Sequence, residues 1–506
     1  MAHGGDNQGI TGPGIDSQPP SGEAARHALH RSVLHGVAWT AAAKILGQII
    51  AWSCTIFVAR LLDPTDYGLI GMSGVFVGFV LLVTELGLAN AVVFLRTLSR
   101  QQIAQLNGLA LGVSVAAMGF SMAVAPLVAR FYDEPRLTRI IVVASLSFLI
   151  MGLRTVPYGL MERAMDFRYL ALLEIGQTAV TGPLTLLLAW RGYGYWALLF
   201  GVLAGMAFGT AVMVLRDPRG FAVPRVAALG DALRLSYHLM VARVAWYTYS
   251  NADYAVVGRR LGADPLGAYT LAFTVASAPV DKITALLVRV TRPAFAAVQD
   301  RPEEVKRVFL STSAALAFIT IPASVGLAVL APDLVPFAFG EKWAAAVLPL
   351  MLLSLATPLR SLAPLLPVIL NATGDSGFAM RINLLALAVM PAAFLAASFG
   401  GLAAVAAVWV AIYPLLVFPA AARVFRRVGL SGREYLADVS PPVLGALVMG
   451  VVVLVVRTVL PPDWPALARL VLLVALGITI FSAVMFAFFR TRTMDYLNAL
   501  KRLRNH

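Results

Sequence analysis

The sequence contains a single cysteine and only six histidines among its 506 residues. Cys54 lies inside an apolar run, so no internal disulfide can form. The histidines are at positions 3, 27, 30, 35, 238 and 506, mostly in tails and loops. None is near Cys54 or a group of carboxylates in the sequence, so we expect no metal site.

The sequence also lacks a glycine-rich phosphate-binding loop followed by lysine and serine or threonine. The nearest glycine pattern, RGYGY at 191–195, is typical of a tight turn. We therefore expect that this chain does not hydrolyse ATP and that it carries no cofactor.

Charge is scarce: charged residues make up 13% of the chain, whereas 59% of the residues are hydrophobic and the mean hydropathy is +0.80. No soluble globular protein needs so much apolar surface, so the composition indicates a polytopic membrane protein. The formal charge of +14 raises the alternative of nucleic-acid binding. However, the basic residues are scattered singly between apolar runs and form no patch with stacking aromatics. We expect loop charges and no bound nucleic acid.

Residues 1 to about 30 are rich in Gly, Pro, Ser and Gln and have few large apolar side chains. This composition predicts a disordered tail. The tail lacks the succession of basic, apolar and small residues that forms a cleavable signal, so we expect the first membrane helix to direct insertion.

Fourteen stretches of the chain are apolar enough to span a membrane, which takes about 20 residues each. They are 36–58, 68–93, 105–129, 139–159, 169–190, 195–215, 234–258, 266–290, 307–331, 343–371, 376–398, 401–423, 441–460 and 466–489. The expected fold class is therefore an all-α polytopic membrane protein with about fourteen transmembrane helices.

The loop charges predict the orientation. An even number of spans puts both termini on one side, and the loops and tails of that side carry about 23 lysines and arginines, against about 10 on the other side. The positive-inside rule then predicts that both termini are cytoplasmic. No loop on the other side is long enough to form a catalytic domain, so we expect no enzyme.

One turn occurs twice in the chain. VARLLDPTDYGLIG at 58–71 joins spans 1 and 2, and VGRRLGADPLGAYT at 257–270 joins spans 7 and 8. The two stretches share Val, Arg, Leu and Gly in register, with Gly68 matching Gly267. We interpret both turns as caps of matching helical hairpins, with a structural role more than a chemical one.

Two further matches occur in the same order along the chain. Glu85 corresponds to Asp281 in the helices that follow the two turns. PLVARFYDEP at 126–135 resembles DLVPFAFGEKW at 333–343. Together the matches predict two six-helix halves with the same orientation in the membrane, followed by two extra spans.

Two such halves are expected to pack as lobes around an axis along the membrane normal, with a cavity between them that opens to either side in turn. The predicted divisions are a disordered cytoplasmic tail (1–34), an N-lobe with spans 1–6 (35–220), a C-lobe with spans 7–12 (221–428), spans 13–14 (429–490) and a basic cytoplasmic tail (491–506). This architecture suggests a transporter.

Three stretches resemble a known family. They are VARLLDPTDYGLIGMSGVFVGFVLLVTELGLANAVV, MERAMDFRYLALLEI and NADYAVVGRRLGADPLGAYTLAF. They are similar to bacterial Wzx-type polysaccharide flippases of the multidrug/oligosaccharidyl-lipid/polysaccharide exporter superfamily, and the resemblance extends over roughly residues 35–490.

The resemblance implies a flippase that carries a polyprenyl-pyrophosphate-linked oligosaccharide from the cytoplasmic to the periplasmic leaflet of the bacterial inner membrane. The product would be a surface polysaccharide, namely an exopolysaccharide, a capsule or an O-antigen. The implied partners are this cargo, membrane lipid and the polysaccharide polymerase and export machinery, and we expect a monomer.

Ionisable groups within the spans are the candidate site residues, because each costs about 2.5–3.5 kcal/mol to insert unless protein or water surrounds it. The cavity candidates are Arg243, Asn251, Lys282, Arg289, Lys44, Arg154, Arg360, Arg381 and Tyr247. The acidic candidates, for coupling or for structure, are Glu85, Asp281 and Glu174. Basic groups outnumber acidic ones, which suits an anionic cargo.

Span 7 has the most informative pattern. Arg243, Tyr247, Ser250, Asn251 and Tyr254 share one face of a helix. Such a stripe can stack on sugars and bind a phosphate through its arginine. In the alternative interpretation, the aromatic residues belong to the interfacial belt and Asn251 merely ends the helix.

Span 8 adds Lys282 and Arg289, about 10 Å apart on nearly the same face, where they could bind a pyrophosphate. Alternatively, Asp281 and Glu85 pair with basic groups to hold helices together, and Arg289 lies at the lipid headgroups. Lys44 lies roughly 12 Å into span 1, so it either faces the cavity or reaches back to the interface.

Two arginines precede prolines within spans. Arg154 precedes Pro157 in span 4, and Arg360 precedes Pro364 in span 10. Because proline frees backbone carbonyls and lets a helix bend, these positions suit either a gating element or a structural kink whose arginine binds those carbonyls. Glu174 is either a proton-coupling group or, as we favour, an ion-pair partner.

Two rival functions stay open. A cation-coupled multidrug exporter of the same superfamily would need acidic residues in spans 1 and 7, where this chain has Lys44 and Arg243. A membrane polysaccharide polymerase or ligase would need a large periplasmic loop with paired Arg or His, and the predicted topology contains none. Energy would come from an ion gradient or from consumption of the flipped product, and the sequence does not choose between them.

Overall fold

The structure is a computed structural model, and it describes residues 48, 50–84, 99–164, 167–216, 218, 220–223, 243–278, 301–461 and 463–496. Across these ranges all regular elements are helices and no β-strand occurs. Helices satisfy their backbone hydrogen bonds internally, as lipid requires, because it offers no partners for them. The predicted all-α fold class is confirmed.

The first half contains seven described helices. They are α1 (Ile50–Leu61), α2 (Pro64–Thr84), α3 (Arg100–Tyr132), α4 (Arg136–Ala144), α5 (Leu146–Arg163), α6 (Phe167–Trp190) and α7 (Tyr195–Arg216).

The second half contains nine described helices. They are α8 (243–250), α9 (Ala252–Leu261), α10 (263–278), α11 (Pro302–Phe339), α12 (Val347–Leu362), α13 (Leu365–Ala372), α14 (Ser376–Ala397), α15 (Gly401–Ala411) and α16 (Tyr413–Arg427). The C-terminal part adds α17 (Gly432–Val459), α18 (Ala466–Phe488) and the short α19 (490–496).

Ten stretches of the described chain are long and apolar enough to cross a membrane. One of them, Gly377–Arg427, has 51 residues and contains two spans, because α15 and α16 fold back along α14. Asp375, at the start of α14, pairs with Arg423 near the end of α16 at 2.6 Å, as expected of a hairpin. Three further predicted spans are described in part, through α1, α8–α9 and α10, so the helices are consistent with the predicted fourteen.

Several helix ends follow from local sequence. Ser99 and Gln102 form a reciprocal capping box at the start of α3, and Ser431 and Glu434 form another at the start of α17. Hydrogen bonds from Ser431 and then from Lys306 lower the pKa of the Glu434 carboxyl to about 2. A carboxylate in this first turn also interacts favourably with the positive end of the helix dipole.

Proline and polar residues interrupt three predicted spans. Span 10 breaks between α12 and α13 at Pro364, as the sequence predicts, whereas Pro157 lies inside an uninterrupted α5. Span 4 is divided into α4 and α5 at Ser145. Span 7 is interrupted at Asn251, between α8 and α9.

Two turns that the repeat aligns share a backbone feature. Asp133 follows α3 with φ 57°, and Gly340 follows α11 with φ 100°. These residues occupy the same position in the matched stretches PLVARFYDEP and DLVPFAFGEKW. A positive φ disfavours most side chains, so its presence at both positions supports this part of the repeat.

The ends of the bundle can be told apart by two ion pairs on α17. Asp438, near its start, pairs with Arg492 of α19, and Arg457, near its end, pairs with Asp333 of α11. The nineteen residue steps from Asp438 to Arg457 span about 28 Å of helix, close to the thickness of a bilayer core. We call the end with α19 proximal and the opposite end distal.

The largest hydrophobic core crosses the boundary between the halves. Leu69 and Ile140 of the first half belong to the same buried cluster as Tyr269, Trp343 and Trp409 of the second. Several of these residues lie close to the distal end, so the two halves are packed together there.

Candidate functional site

The two repeated turns lie against each other at the distal end. Gly68, near the start of α2, approaches the carbonyl of Ala263 so closely that an added Cβ would overlap with its oxygen. Gly267, near the start of α10, approaches the carbonyl of Pro64 in the same way. The two glycines that the sequence repeat matches therefore make reciprocal contacts, each with the first turn of the other helix.

Side chains extend this contact with the same symmetry. Thr65 and Asp264 are 199 residues apart, the separation that also relates Gly68 to Gly267. The Thr65 hydroxyl donates a hydrogen bond to Asp264 Oδ1 at 3.4 Å. The turns thus meet around a pseudo-twofold axis, which is the arrangement expected for repeats of the same orientation.

The end of α1 is also tied to the second half. The Arg60 side chain donates from Nε to the Ala338 carbonyl at 2.8 Å and from Nη2 to the Phe337 carbonyl. Trp343 Nε1 donates to the Ala59 carbonyl at 2.9 Å, and Lys342 pairs with Asp63 at 3.3 Å. These bonds connect α1 to the end of α11 and to the turn that follows it.

Asp66 holds the first turn to its own half. Its carboxylate accepts hydrogen bonds from the Asp63 N–H at 3.1 Å and from the Tyr195 N–H at 3.0 Å. The second bond reaches the RGYGY turn between α6 and α7, where Gly192 and Gly194 have positive φ. We call the contacts of Thr65, Gly68, Asp264 and Gly267, with those of α1 to the end of α11, the distal seam.

Span 7 packs along the first half on the proximal side of this seam. Tyr247 donates its hydroxyl to the Val75 carbonyl at 3.1 Å, and its oxygen fills the space beside Gly78 on α2. Asn251 donates from Nδ2 to the Tyr247 carbonyl at 2.8 Å, within its own helix. Arg243 is exposed on α8. Tyr247 is thus part of the helix interface, and cargo binding by the three residues stays a prediction.

Arg360 lies in an aromatic pocket of the second half. Its guanidinium carbon is 4.3 Å from the centre of the Phe273 ring and 4.7 Å from that of Trp409, distances that give cation–π attraction. Nη1 of Arg360 is buried without a hydrogen-bond partner among the described residues.

Asp253 completes this cluster, and the sequence interpretation did not include it among the candidate site residues. Its side chain is fully buried in α9. Oδ2 accepts hydrogen bonds from Tyr269 Oη at 2.6 Å and from Trp409 Nε1 at 2.9 Å, and Oδ1 accepts one from the Tyr254 N–H at 2.9 Å. The sequence signal that could have identified Asp253 is a carboxylate within an apolar stretch, ADYAVV. A carboxylate that is buried in such a stretch needs hydrogen-bond donors close to it.

The remaining described candidates lie apart from this cluster. Arg154 of α5 is 5.1 Å from the centre of the Tyr158 ring, and Glu174 lies on the next helix, α6. The proton-coupling and ion-pair roles of Glu174 both stay predictions. Arg381 is exposed on α14.

Five predicted site residues lie outside the described residues, namely Lys44, Glu85, Asp281, Lys282 and Arg289. In the part of the chain that is described, no group of three or more His, Cys, Asp or Glu residues could hold a metal ion.

The helical bundle with a seam between two repeated halves defines a class, the two-lobed membrane transporter. A search of solved structures finds the same fold in the lipid II flippase MurJ in an inward closed conformation, with a TM-score of 0.69 and 14% identity, over 90% of this chain and 99% of that one. An inward-facing multidrug resistance transporter of the MATE family has a TM-score of 0.59 and 15% identity, over 76% and 94% of the two chains.

The sequence comparison gives the family. The model of the family described as polysaccharide biosynthesis protein matches residues 57–348, which is more than half of the chain. The chain therefore belongs to this family, and the resemblance found from the sequence is confirmed.

Curated relatives extend the match. The lipopolysaccharide biosynthesis protein WzxC of Escherichia coli (strain K12) is 25% identical over 370 residues, which cover 70% of this chain and 73% of that protein. The succinoglycan biosynthesis transport protein ExoT of Rhizobium meliloti (strain 1021) is 26% identical over 346 residues, covering 66% and 69% of the two chains.

Proposed function

We propose that this protein is a flippase that moves a polyprenyl-pyrophosphate-linked oligosaccharide across the bacterial inner membrane for the synthesis of a surface polysaccharide. Membership of the polysaccharide biosynthesis family supports the class of cargo. The distal seam supports the mechanism, because a seam built by reciprocal contacts between two repeated halves can separate as a unit when the halves rock.

In this proposal the proximal end faces the cytoplasm and the distal end faces the periplasm, as the loop charges predict. With the seam closed, cargo enters between the lobes from the cytoplasmic side, and opening of the seam releases it on the periplasmic side. The chain contributes binding and a conformational change, and we assign no catalytic step to it.

The cationic candidates within the spans would neutralise the pyrophosphate while it crosses. Arg243, Lys282 and Arg289 are the residues to which we assign this role, with Lys44, Arg154, Arg360 and Arg381 as further contributors. Their excess of positive charge over the acidic groups supports an anionic cargo. The polymerase and export machinery would take the cargo up afterwards, and we propose that a monomer suffices for transport.

A deletion strain tests the function. We expect the strain to lose its surface polysaccharide and to accumulate the lipid-linked repeat unit on the cytoplasmic leaflet. Altered polymer length with normal translocation would instead point to a polymerase and overturn the proposal.

The cavity assignment is tested by Arg243→Ala and Lys282→Ala in the complemented strain. Each variant should reduce polysaccharide export at least about tenfold, since each removes a charge-assisted contact to phosphate worth about 1.5–3 kcal/mol. Immunoblotting of the membrane fraction should show unchanged protein abundance. Normal export by both variants would rule out these two residues as cargo ligands.

A further inference from the structure

The distal ends of three helices form a cluster of two arginines and one aspartate outside the distal seam. Arg457 of α17 donates from Nε to Asp333 of α11, and Arg469 of α18 lies with Nε 3.4 Å from the other oxygen of Asp333. Arg469 also donates from Nη2 to the Arg457 carbonyl at 3.1 Å. The cluster thus connects the two extra C-terminal spans to the second half.

The charges in this cluster do not balance. Two guanidinium groups face one carboxylate, although the side chains of Arg457, Arg469 and Asp333 are only 22%, 18% and 14% exposed. One arginine would suffice to pair with Asp333. A second positive charge in a half-buried place is costly unless an anion compensates it.

The cluster also has hydrogen-bond donors to spare. Each guanidinium carries five N–H donors, and the bonds to Asp333 and to the Arg457 carbonyl use only some of them. Nε of Arg469 is buried, and its contact with Asp333 Oδ1 at 3.4 Å does not have the geometry of a hydrogen bond. A fork of such donors matches the geometry of a phosphate group.

The surroundings indicate where an anion would come from. Val459 and Leu467, next to the cluster on α17 and α18, are 78% and 59% exposed, as expected for side chains that face lipid. The 23-residue helix α18 begins at Ala466, so its positive dipole end and its unpaired N–H groups lie close by. The phosphate group of a lipid in the distal leaflet can therefore reach this place.

We propose that Arg457 and Arg469 bind the phosphate group of a lipid in the leaflet at the distal end. The lipid is either a phospholipid of that leaflet or the polyprenyl-pyrophosphate carrier after translocation, and both present the same chemistry to the two arginines. The site is independent of the proposed function in the first case and extends it in the second, where it receives the carrier as it leaves the lobes.

Native mass spectrometry of the purified full-length protein tests the site with three probes: phosphatidylglycerol, a diacylglycerol with the same acyl chains, and polyprenyl pyrophosphate. We expect the wild-type protein to retain at least one phosphate-bearing lipid but not diacylglycerol. Arg457→Gln and Arg469→Gln should each weaken retention about tenfold, as loss of a charge-assisted contact predicts. Asp333→Asn should strengthen it, because it removes the competing anion.

Arg130→Gln is the matched control, since Arg130 is an exposed arginine at the distal end of α3. It should bind lipid like the wild type. Weaker retention of phosphatidylglycerol alone in the two arginine variants identifies a phospholipid site, and weaker retention of polyprenyl pyrophosphate in them identifies the carrier, whatever the outcome of the export assays.

Equal retention of all three probes by the wild type, or undiminished retention by both arginine variants, would overturn the proposal. If the arginine variants do not fold, Asp333→Asn and the wild type decide it. Weaker lipid binding by Asp333→Asn in a folded protein would mean that the arginines only hold α11, α17 and α18 together.

Discussion

Asp253 and its hydrogen-bond donors form a buried polar network in the second half. The carboxylate is fully buried and accepts three hydrogen bonds, two of them from the side chains of Tyr269 and Trp409. Arg360 packs on the rings of Trp409 and Phe273. Such a network holds α9, α10, α12 and α15 in one arrangement, because breaking it would leave several polar groups without partners.

Substitution of Asp253 tests this structural role. Asp253→Leu leaves the Tyr269 hydroxyl without its acceptor, at a cost of about 1–3 kcal/mol, and leaves the Trp409 indole N–H only the Tyr269 oxygen at 3.2 Å. We expect a clearly lower midpoint of thermal unfolding in detergent. Asp253→Asn keeps an acceptor oxygen and should lower the midpoint less. Equal midpoints for Asp253→Leu and wild type would mean that the hydrogen bonds contribute nothing to stability.

The positions of single residues in span 7 could be predicted from sequence patterns, but their long-range partners could not. The helical spacing of Tyr247 and Asn251 in span 7 is local information and was readable. Their partners are not, because Tyr247 bonds to Val75 and fills the space beside Gly78, which lie far away in the chain. The same holds for Asp253, whose acceptor role depends on Trp409.

At the scale of helices, the repeat could be predicted from the sequence, but the contact between the two repeated turns could not. Matching residues in the two turns indicated equivalent hairpins, which is a property of sequence alone. That the hairpins face each other depends on how the halves pack, and no local pattern encodes that. The structure therefore revises the interpretation of the turns as separate caps: they are the two sides of one contact.

The reciprocal glycine contact predicts the effect of adding a methyl group. Gly68→Ala introduces a Cβ that overlaps with the Ala263 carbonyl oxygen, so the closed seam should lose about 1–3 kcal/mol, as for other overpacked contacts. We expect the distal-open state to become more populated. Labelling of a Thr65→Cys reporter by a membrane-impermeant maleimide should then become faster.

Gly74→Ala provides the control for this prediction. Gly74 lies on the same helix, and a Cβ there would meet no atom within 4 Å. It should leave the labelling rate unchanged, and Gly267→Ala should behave like Gly68→Ala. Identical labelling in all three variants would show that the glycines do not set the closure of the seam.

At the scale of the whole molecule, hydropathy and loop charge were enough to predict an all-helical membrane protein, whereas the family followed only from the resemblance of three sequence stretches. Both signals are summed over long stretches, so errors at single residues do not matter. The ion pairs between distant elements were not predictable, since Asp333 meets Arg457 and Arg469 only after the helices have packed. Chemistry that depends on such contacts is therefore where the structure adds most.

The central claim is that the two halves meet at the distal seam and must separate there for transport. Thr65 and Asp264 face each other across it, and the chain's only cysteine, Cys54, can be replaced by serine. A Thr65→Cys and Asp264→Cys pair in that background, linked in cells by a short cleavable thiol reagent, tests the claim directly. Each single cysteine variant treated with the same reagent serves as the control.

We predict that the cross-link forms efficiently, that polysaccharide export stops while it is intact, and that a reductant restores export. Full cross-linking with undiminished export would contradict the account.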